Sequence, residues 1–311
     1  MNTEALIFYS EFDDPGAWKQ ALSAELSDLD IRIYPLVGDP RDVRYALVWR
    51  PPAGFFARFP NLSLVTNLGA GVDALLDRED LPAVPISRLL DRGMVALMTS
   101  YILFATIRYA RDIPLFERAQ RRRQWHYVHP KALSSVQVGI LGLGELGAAA
   151  ACALAQLGFK VCGWARTEKQ LPGVSCVAGD AALAPLLSVT EILIVMLPLT
   201  AKTRGLLGER ELGLLPQGAK LINVSRGAVV DEGALISRLQ TGHIAEATLD
   251  VFTLEPLPSD HILWGMANVL ITPHLASVAV PQTAARDVAE SIRRVRAGLE
   301  PLHPADPKRG Y

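Results

Sequence analysis

The sequence predicts an α/β protein that consists of two doubly wound parallel-sheet domains. Its 311 residues are enough for two domains of roughly 100–200 residues, each with its own core. Short apolar runs alternate with amphipathic stretches along the chain, and this order is typical of parallel strands covered by helices on both faces. Near the middle, a glycine-rich segment directly follows one apolar run, which indicates a tight turn between a strand and a helix.

The N-terminal part of the chain contains apolar runs of strand length, each bounded by turn residues. These predicted strands are Ala5–Tyr9, Ile31–Tyr34, Tyr45–Trp49 and Leu64–Thr66. Between the first two lies a predicted helix, Pro15–Leu26, in which large apolar residues recur every four positions. This part of the chain is therefore predicted to form an open parallel sheet.

A long helical stretch, from about Gly93 to Gln120, is predicted to connect the first domain to a second block of strands and helices. The strands predicted in that block are Val136–Leu141, Phe159–Trp164, Glu191–Leu197, Lys220–Asn223, Ala247–Val251 and Val269–Thr272. The last predicted helix, Pro281–Ala297, is expected to pack back against the first domain. We therefore predict a discontinuous domain, 1–95 plus 278–311, and a continuous domain, 96–277.

Composition excludes several classes of protein. Half of the residues are hydrophobic and the formal net charge is −1, so the chain offers no electrostatic reason to bind nucleic acid or an acidic membrane. The cysteines, Cys152, Cys162 and Cys176, are odd in number and lack C-x-x-C spacing, so we expect neither disulfides nor a metal site. The N-terminus lacks the pattern of a signal peptide, and the apolar runs are too short to span a bilayer. A cytoplasmic location is the resulting expectation.

Gly142, Gly144 and Gly147 form a G-x-G-x-x-G motif between a predicted strand and an alanine-rich predicted helix. In that context the motif indicates a Rossmann domain that binds a dinucleotide. Gly142 allows the tight turn, Gly144 allows the backbone to approach a pyrophosphate, and Gly147 allows close packing of helix and strand. The helix that begins with Glu145 and Leu146 offers free N–H groups and a partial positive charge to the phosphate.

The residues at the end of the next predicted strand, Arg166 and Thr167, indicate which dinucleotide is bound. An NAD site usually has Asp or Glu about 20 residues beyond the glycines, where the carboxylate accepts hydrogen bonds from the ribose 2′-hydroxyl. Arg166 stands there instead; its guanidinium can pair with a 2′-phosphate, to which Thr167 can donate a hydrogen bond. We therefore predict that NADPH is preferred over NADH.

Three charged or titratable residues each follow a predicted strand of the second domain. Arg226 follows the fourth of these strands, Glu255 the fifth and His274 the sixth. Ligands of open α/β sheets bind beyond the carboxyl ends of the strands, so these side chains are expected to converge on one crevice.

In chain order, the motifs resemble those of the D-isomer-specific 2-hydroxyacid dehydrogenase family over nearly the whole sequence. The motifs that carry the resemblance are Gly142–Gly147, Leu197–Thr200 with Thr203–Gly205, Asn223–Gly227, Asp250–Pro258 and Pro273–His274. Trp49–Pro52 and Trp164–Arg166 are most similar to the glyoxylate/hydroxypyruvate reductase A group. The resemblance implies a flavodoxin-like substrate domain, a Rossmann domain, and NADPH-dependent reduction of a small 2-oxo acid to the D-2-hydroxy acid.

The resemblance also implies roles for individual residues. His274 would be the general acid that protonates the carbonyl oxygen as hydride reaches C2. Glu255 would hydrogen-bond to His274 and orient it, and Arg226 would bind the substrate carboxylate and polarise the carbonyl. The remaining residues expected to contact the cofactor are Leu197, Pro198, Thr203, Val224, Ser225, Ser277 and, at the nicotinamide end, Asp250.

In the first domain, one loop matches the family's carboxylate-binding loop, in which small residues let backbone N–H groups approach an anion. A tryptophan and an arginine are expected to line the mouth of the substrate site. These predicted substrate-binding residues are Trp49, Arg50, Leu68, Gly69, Ala70 and Gly71, in addition to Arg226 and His274.

Two further features are interpreted through the resemblance. The segment with Trp125, His126 and His129 lies where relatives often meet a partner subunit, which implies a homodimer. Met98–Tyr101 stands where many relatives have Ala-Glu before the Tyr, and we interpret this difference as one of helix packing more than of chemistry.

Two alternatives to the reductase remain open. Relatives with the same scaffold act on bulkier 2-hydroxy acids, although Trp49 and Arg50 favour a small polar substrate. Corepressors of the C-terminal-binding type use the scaffold as a dinucleotide-gated interaction module and keep the same three charged residues, so these residues alone do not separate the two classes.

Overall fold

The computed structural model describes residues 4–310. They form two compact units: the first comprises the described residues up to Met94 and from Val278 onward, and the second is Val95–Ser277. Each unit is built on one parallel β-sheet, with a hydrophobic core on either face of the sheet. The predicted α/β class, with two doubly wound sheets, is confirmed.

The strands of the first unit are β1 (Ala5–Tyr9), β2 (Asp30–Ile33), β3 (Val43–Val48), β4 (Leu64–Asn67) and β5 (Ile86–Arg88). Those of the second unit are β6 (Gln137–Leu141), β7 (Lys160–Ala165), β8 (Val174–Ala178), β9 (Ile192–Val195), β10 (Ala219–Asn223), β11 (Ile244–Leu249) and β12 (Val269–Ile271). The helices, in chain order, are α1 (Pro15–Glu25), α2 (Asp73–Leu76), α3 (Arg92–Ala110), α4 (Ile113–Arg121), α5 (Glu145–Gln156), α6 (Leu183–Val189), α7 (Glu209–Leu214), α8 (Glu232–Gln240) and α9 (Pro281–Arg296).

The sheet of the first unit has the strand order β2-β1-β3-β4-β5, which is the order of flavodoxin-like folds. Helix α1 begins directly after Asp14, whose carboxylate accepts a hydrogen bond from the Gly16 N–H at 2.8 Å. Helices α1 and α9 pack together on one face of this sheet, where Trp18, Leu22 and Val288 are buried. The C-terminal helix therefore completes the core of the N-terminal sheet.

The sheet of the second unit has the strand order β12-β11-β10-β9-β6-β7-β8. Counted from its first strand, β6, this is the order of a Rossmann sheet extended by a seventh strand. The chain direction across the sheet reverses between β6 and β9, whose last residues Leu141 and Val195 are paired. The carboxyl end of the sheet at this point is where such folds bind ligands.

The predicted single connector helix is wrong: two helices, α3 and α4, occupy that region. Asp112 lies between them with a φ of 51°, a left-handed conformation that interrupts a right-handed helix. Pro114 follows in the first turn of α4, where the missing proline N–H leaves no helical bond unmade. The break therefore has a local cause that the apolar periodicity alone did not reveal.

Helix α3 is also the one helix of the described residues that is long and apolar enough to cross a membrane, with 19 residues and a mean hydropathy of 1.3. One of its faces packs into the core of the second unit through Met98, Ile102 and Ala105. Core helices commonly have this length and composition. Packing accounts for the apolar character of that face.

Candidate functional site

The glycine turn between β6 and α5 has the steric properties expected of a dinucleotide-binding motif. Gly142 has a φ of 105°, and a Cβ atom there would lie 2.6 Å from the Met196 carbonyl oxygen. A Cβ atom on Gly147 would collide with the Gly142 carbonyl oxygen. Nothing lies within 4 Å of a Cβ atom built on Gly144. Packing inside the protein therefore requires glycine at 142 and 147, whereas Gly144 leaves an open space that fits a pyrophosphate.

Arg166 and Thr167 lie immediately beyond β7, and both are exposed. Strand β7 pairs with β6, and the Gly142 N–H donates to the Trp164 carbonyl oxygen at 2.9 Å. The glycine turn is thus hydrogen-bonded to the end of β7 at Trp164, two residues before Arg166. This is the place where a dinucleotide-binding fold receives the adenosine ribose.

The loop after β9 contains Leu197 and Pro198 and folds on itself through Thr203. The Thr203 hydroxyl donates to the Pro198 carbonyl oxygen at 2.6 Å and accepts from the Thr200 N–H at 2.8 Å. Leu197 is buried, so its side chain supports the loop from inside the core. The loop is therefore held in shape before any ligand binds.

The predicted pairing of His274 with Glu255 is present in the structure. His274 Nδ1 lies 2.9 Å from Glu255 Oε2, and both side chains are largely shielded from water. The other carboxylate oxygen, Oε1, accepts a hydrogen bond from the Phe252 N–H at 2.9 Å. Because a carboxylate only accepts, Nδ1 carries the proton of the shared bond, which fixes the tautomer and orientation of the ring.

Asp250, the residue after β11, binds the turn that contains His274. Its backbone carbonyl accepts from the His274 N–H at 2.8 Å, and its carboxylate accepts from the N–H groups of Leu275 and Ala276, each at 3.0 Å. The carboxylate is almost fully buried. The hydrogen bonds of Asp250 thus hold the His274 turn in place. A contact between Asp250 and the nicotinamide stays a prediction. Ser277, the last residue of the second unit, follows this turn.

Arg226 lies beyond β10 in a loop braced by Asn223, the last residue of that strand. The Asn223 amide accepts from the Ser225 N–H at 3.1 Å and donates to the Arg226 carbonyl oxygen at 3.1 Å. Val224 and Ser225, which belong to the same loop, are buried. Strands β10, β11 and β12 are neighbours in the sheet, so Arg226, Glu255 and His274 follow three adjacent strands at the same edge.

The candidate residues of the first unit follow β3 and β4, which are also neighbours. The Arg50 guanidinium carbon lies 5.5 Å from the centre of the Trp49 ring. That ring covers Gly69 so closely that a Cβ atom on Gly69 would lie 2.7 Å from it. Leu68 is buried, and Ala70 and Gly71 are partly exposed. The two predicted substrate segments therefore contact each other.

Sequence reasoning assigned no role to the two asparagines that end β4 and β10. Asn67 Nδ2 donates to the carbonyl oxygens of Gly69 and Gly71 at 3.2 and 2.8 Å, as Asn223 does for its own loop. Both side chains are buried. An asparagine directly before a glycine- or serine-containing loop is the available signal, because its amide commonly bonds to the backbone a few residues on.

Reduction of a carbonyl group requires a proton donor and a bound hydride carrier in one place. The second unit combines a histidine held by a carboxylate with a turn shaped for a dinucleotide, both at the carboxyl edge of one sheet. The class of protein that this fold and site define is a dinucleotide-dependent oxidoreductase.

Comparison with known proteins identifies the family within this class of oxidoreductases. Residues 103–276 match the family model described as D-isomer specific 2-hydroxyacid dehydrogenase, NAD binding domain. The chain belongs to this family, as the sequence motifs indicated. It is 40% identical to glyoxylate/hydroxypyruvate reductase A of Yersinia enterocolitica, over 98% of this chain and 99% of the relative. The reductase of the same name from Serratia proteamaculans is also 40% identical over the same shares.

Solved structures agree with this assignment over the full length. A D-isomer specific 2-hydroxyacid dehydrogenase from Xanthobacter autotrophicus, in complex with NADPH and MES, is 59% identical with a TM-score of 0.95, over 99% of this chain and 100% of that one. An NADPH-dependent glyoxylate/hydroxypyruvate reductase from Sinorhizobium meliloti, in complex with NADP and sulfate, is 31% identical with a TM-score of 0.94, over the same shares.

Proposed function

We propose that this NAD(P)-dependent oxidoreductase uses NADPH to reduce a small 2-oxo acid, of the glyoxylate or hydroxypyruvate type, to the D-2-hydroxy acid. The observation that carries the proposal is the 2.9 Å bond between His274 Nδ1 and Glu255 Oε2. It fixes the tautomer and orientation of an imidazole in the unit that contains the dinucleotide motif. The similarity to reductases of this substrate class over nearly the whole chain supports the choice of substrate.

The residues of the glycine turn fit a dinucleotide because Gly144 has open space where a side chain would stand. Gly142–Gly147 and the first N–H groups of α5 would hold the pyrophosphate, together with the loop that contains Leu197, Pro198 and Thr203. When bound, the cofactor supplies the hydride that reaches C2 of the substrate. The domain 96–277 is accordingly proposed as the cofactor domain, and 1–95 plus 278–311 as the substrate domain.

His274 would donate the proton to the carbonyl oxygen through Nε2, while Glu255 accepts the hydrogen bond from Nδ1 and orients the ring. Arg226 would bind the substrate carboxylate, since its planar guanidinium can donate two parallel hydrogen bonds. The loop Leu68–Gly71 would offer backbone N–H groups to the same kind of anion, and Asn67 supports this role because it holds the loop open through two carbonyl oxygens.

The preference for NADPH over NADH rests on Arg166 and Thr167. Both are exposed beyond β7, and Arg166 stands in place of a carboxylate that would repel a 2′-phosphate. The relatives from Xanthobacter and Sinorhizobium that bind NADPH or NADP are consistent with this preference.

A homodimer is proposed from exposed apolar side chains of the second unit. Leu97, Phe104 and Ile107 form an exposed stripe along α3, opposite the face that packs into the core. Trp125, in the segment after α4, is fully exposed at 100%. Large apolar side chains exposed in this way mark a surface that binds another protein. A second copy of the chain is the proposed partner.

A cytoplasmic location is also proposed, and the three cysteines, which are free thiols, are consistent with it.

The test of the proposed function is the steady-state oxidation of NADPH with a panel of 2-oxo acids, from glyoxylate and hydroxypyruvate to branched and aromatic compounds. We expect the highest kcat/KM with the two smallest substrates and formation of the D product. A higher kcat/KM with bulky substrates would contradict the substrate assignment. Binding of NADPH without turnover of any member would instead favour a dinucleotide-gated interaction module.

A further inference from the structure

A chain of hydroxyl groups leads from helix α3 to the turn that contains His274. The Tyr101 hydroxyl lies 2.6 Å from the Thr272 hydroxyl, and the Thr272 hydroxyl lies 2.5 Å from Asp250 Oδ1. Tyr101 and Thr272 are separated by most of the second unit in sequence, and both side chains are partly buried. Three separate segments of the second unit therefore meet beside His274.

The chemistry of the three groups sets the direction of these hydrogen bonds. Both oxygens of the Asp250 carboxylate accept backbone N–H bonds, from Leu275 and Ala276. The Thr272 hydroxyl has a single proton, which it donates to Asp250 Oδ1, so its remaining bond must be accepted from Tyr101. Burial raises the pKa of Tyr101 to about 12, so its hydroxyl keeps its proton at neutral pH.

The group at the end of this chain is the backbone of His274. His274 has a φ of 55°, a left-handed conformation that a residue with a side chain keeps only where its surroundings enforce it. Its N–H donates to the Asp250 carbonyl oxygen, and the Asp250 carboxylate accepts from the Thr272 hydroxyl, two residues before His274, and from the Leu275 N–H directly after it. Loss of hydrogen bonds to Asp250 would therefore let the His274 backbone leave the left-handed conformation, which would displace Nε2.

We propose that Tyr101 is a positioning residue for the reaction: its hydroxyl orients Thr272 toward Asp250, and Asp250 holds the turn that aims His274. The inference rests on the proposed function of His274 as proton donor. It assigns a role to a residue outside the loops that follow the strands.

Tyr109 provides a matched control on the same helix, two turns further along. Its hydroxyl also lies 2.6 Å from a threonine hydroxyl, that of Thr248 in β11. Within residues 4–310, the Thr248 side chain makes no hydrogen bond to Asp250, and Thr248 lies within a strand rather than in the His274 turn. Tyr101→Phe and Tyr109→Phe therefore each remove one hydrogen bond between a tyrosine and a threonine hydroxyl. Only the bond removed by Tyr101→Phe is connected, through Asp250, to the His274 turn.

The experiment compares these two variants in the reduction of glyoxylate by NADPH. We expect Tyr101→Phe to lower kcat about tenfold, the scale of one hydrogen bond, with less than a twofold change in the KM for NADPH. We expect Tyr109→Phe to lower thermal stability but to leave kcat unchanged. Equal effects of the two variants on kcat would overturn the proposal, since both lose a buried bond.

A double-mutant cycle tests whether Tyr101 acts through Thr272. We expect Thr272→Val to lower kcat at least as much as Tyr101→Phe, and the double variant to be no slower than Thr272→Val alone. Thr272→Ser keeps the hydroxyl and should restore most of the wild-type kcat. Independent, multiplicative losses in the double variant would show that Tyr101 acts by another route.

A readout without turnover separates this proposal from the function on which it rests. In the NMR spectrum, the Nδ1–H proton of His274, identified with a His274→Gln variant, reports the bond to Glu255. We expect Tyr101→Phe to shift this resonance and to speed its exchange with water, and Tyr109→Phe to leave it unchanged. An unshifted resonance in Tyr101→Phe contradicts the positioning role even if no 2-oxo acid is reduced, whereas absent turnover with a shifted resonance contradicts only the proposed function.

Discussion

The glycine turn after β6 and the histidine turn after β12 stand at the same edge of one sheet, but different forces shape them. The glycine turn is fixed by steric contacts with backbone: the Gly142 carbonyl lies against Gly147, and the Met196 carbonyl lies against Gly142. The histidine turn is fixed by hydrogen bonds from residues 19 and more positions away, chiefly Glu255 and Asp250. The first is a steric requirement for glycine that the sequence motif itself records, and the second is a set of hydrogen bonds that only the tertiary structure brings together.

The sharpest test of the histidine turn is His274→Ala, which removes the proposed proton donor. We expect kcat to fall about 10²–10⁴-fold, the usual contribution of general acid catalysis. The affinity for NADPH, measured by fluorescence titration, should stay within a few-fold of wild type because the glycine turn is untouched. Near-normal turnover in this variant would show that another group donates the proton.

Asp250→Asn tests the support beneath the histidine rather than the imidazole. An amide offers one acceptor oxygen in place of two, so at least one of the bonds from the Thr272 hydroxyl, the Leu275 N–H and the Ala276 N–H is lost. We expect kcat to fall about 10- to 100-fold, since leaving a buried group without its partner costs about 1–3 kcal/mol. A variant with unchanged kcat would show that the turn keeps its shape without the carboxylate.

The glycine turn is tested by Gly147→Ala and Gly144→Ala. A methyl group at 147 collides with a backbone oxygen, so we expect a loss of about 1–3 kcal/mol in the free energy of unfolding. At 144 a methyl group meets open space, so stability should be unchanged while the Kd for NADPH rises. Thermal denaturation and cofactor titration separate the two effects, and equal destabilisation by both substitutions would refute the distinction.

The smallest expected effect concerns the cofactor preference. Arg166→Ala should lower the ratio of kcat/KM for NADPH to that for NADH about tenfold, since it removes one charge-assisted bond to the 2′-phosphate. Lys169→Ala, an exposed cation three residues further on, serves as the control and should leave the ratio unchanged. A clear NADH preference in the wild-type protein would contradict the prediction outright.

Most strands could be predicted from the sequence because they are buried on both faces and read as continuous apolar runs. Strand β9, Ile192–Val195, is entirely buried and was placed within two residues at each end. Strands β5 and β8 were missed because neither is a continuous apolar run. Edge position alone does not hide a strand, since the edge strands β2 and β12 are apolar enough to be predicted.

The sequence by itself determined the residues whose requirement is local. The glycine spacing, the strand that precedes it and the residues at the end of β7 follow from backbone sterics and from the absence of a carboxylate. The motif order indicated the family and the pairing of His274 with Glu255, which the 2.9 Å bond confirms.

Only the tertiary structure decided how the His274 turn is held. Sequence reasoning assigned Tyr101 no role at the site, and the departure in Met98–Tyr101 was interpreted as one of helix packing. In the structure the Tyr101 hydroxyl is bound to Thr272, and the carboxylate of Asp250, expected at the cofactor, accepts its hydrogen bonds within the His274 turn. The physical reason is that a hydrogen bond depends on the position of two atoms to within a fraction of an ångström, and segments far apart in sequence acquire that position only when the sheet and helix α3 have packed together.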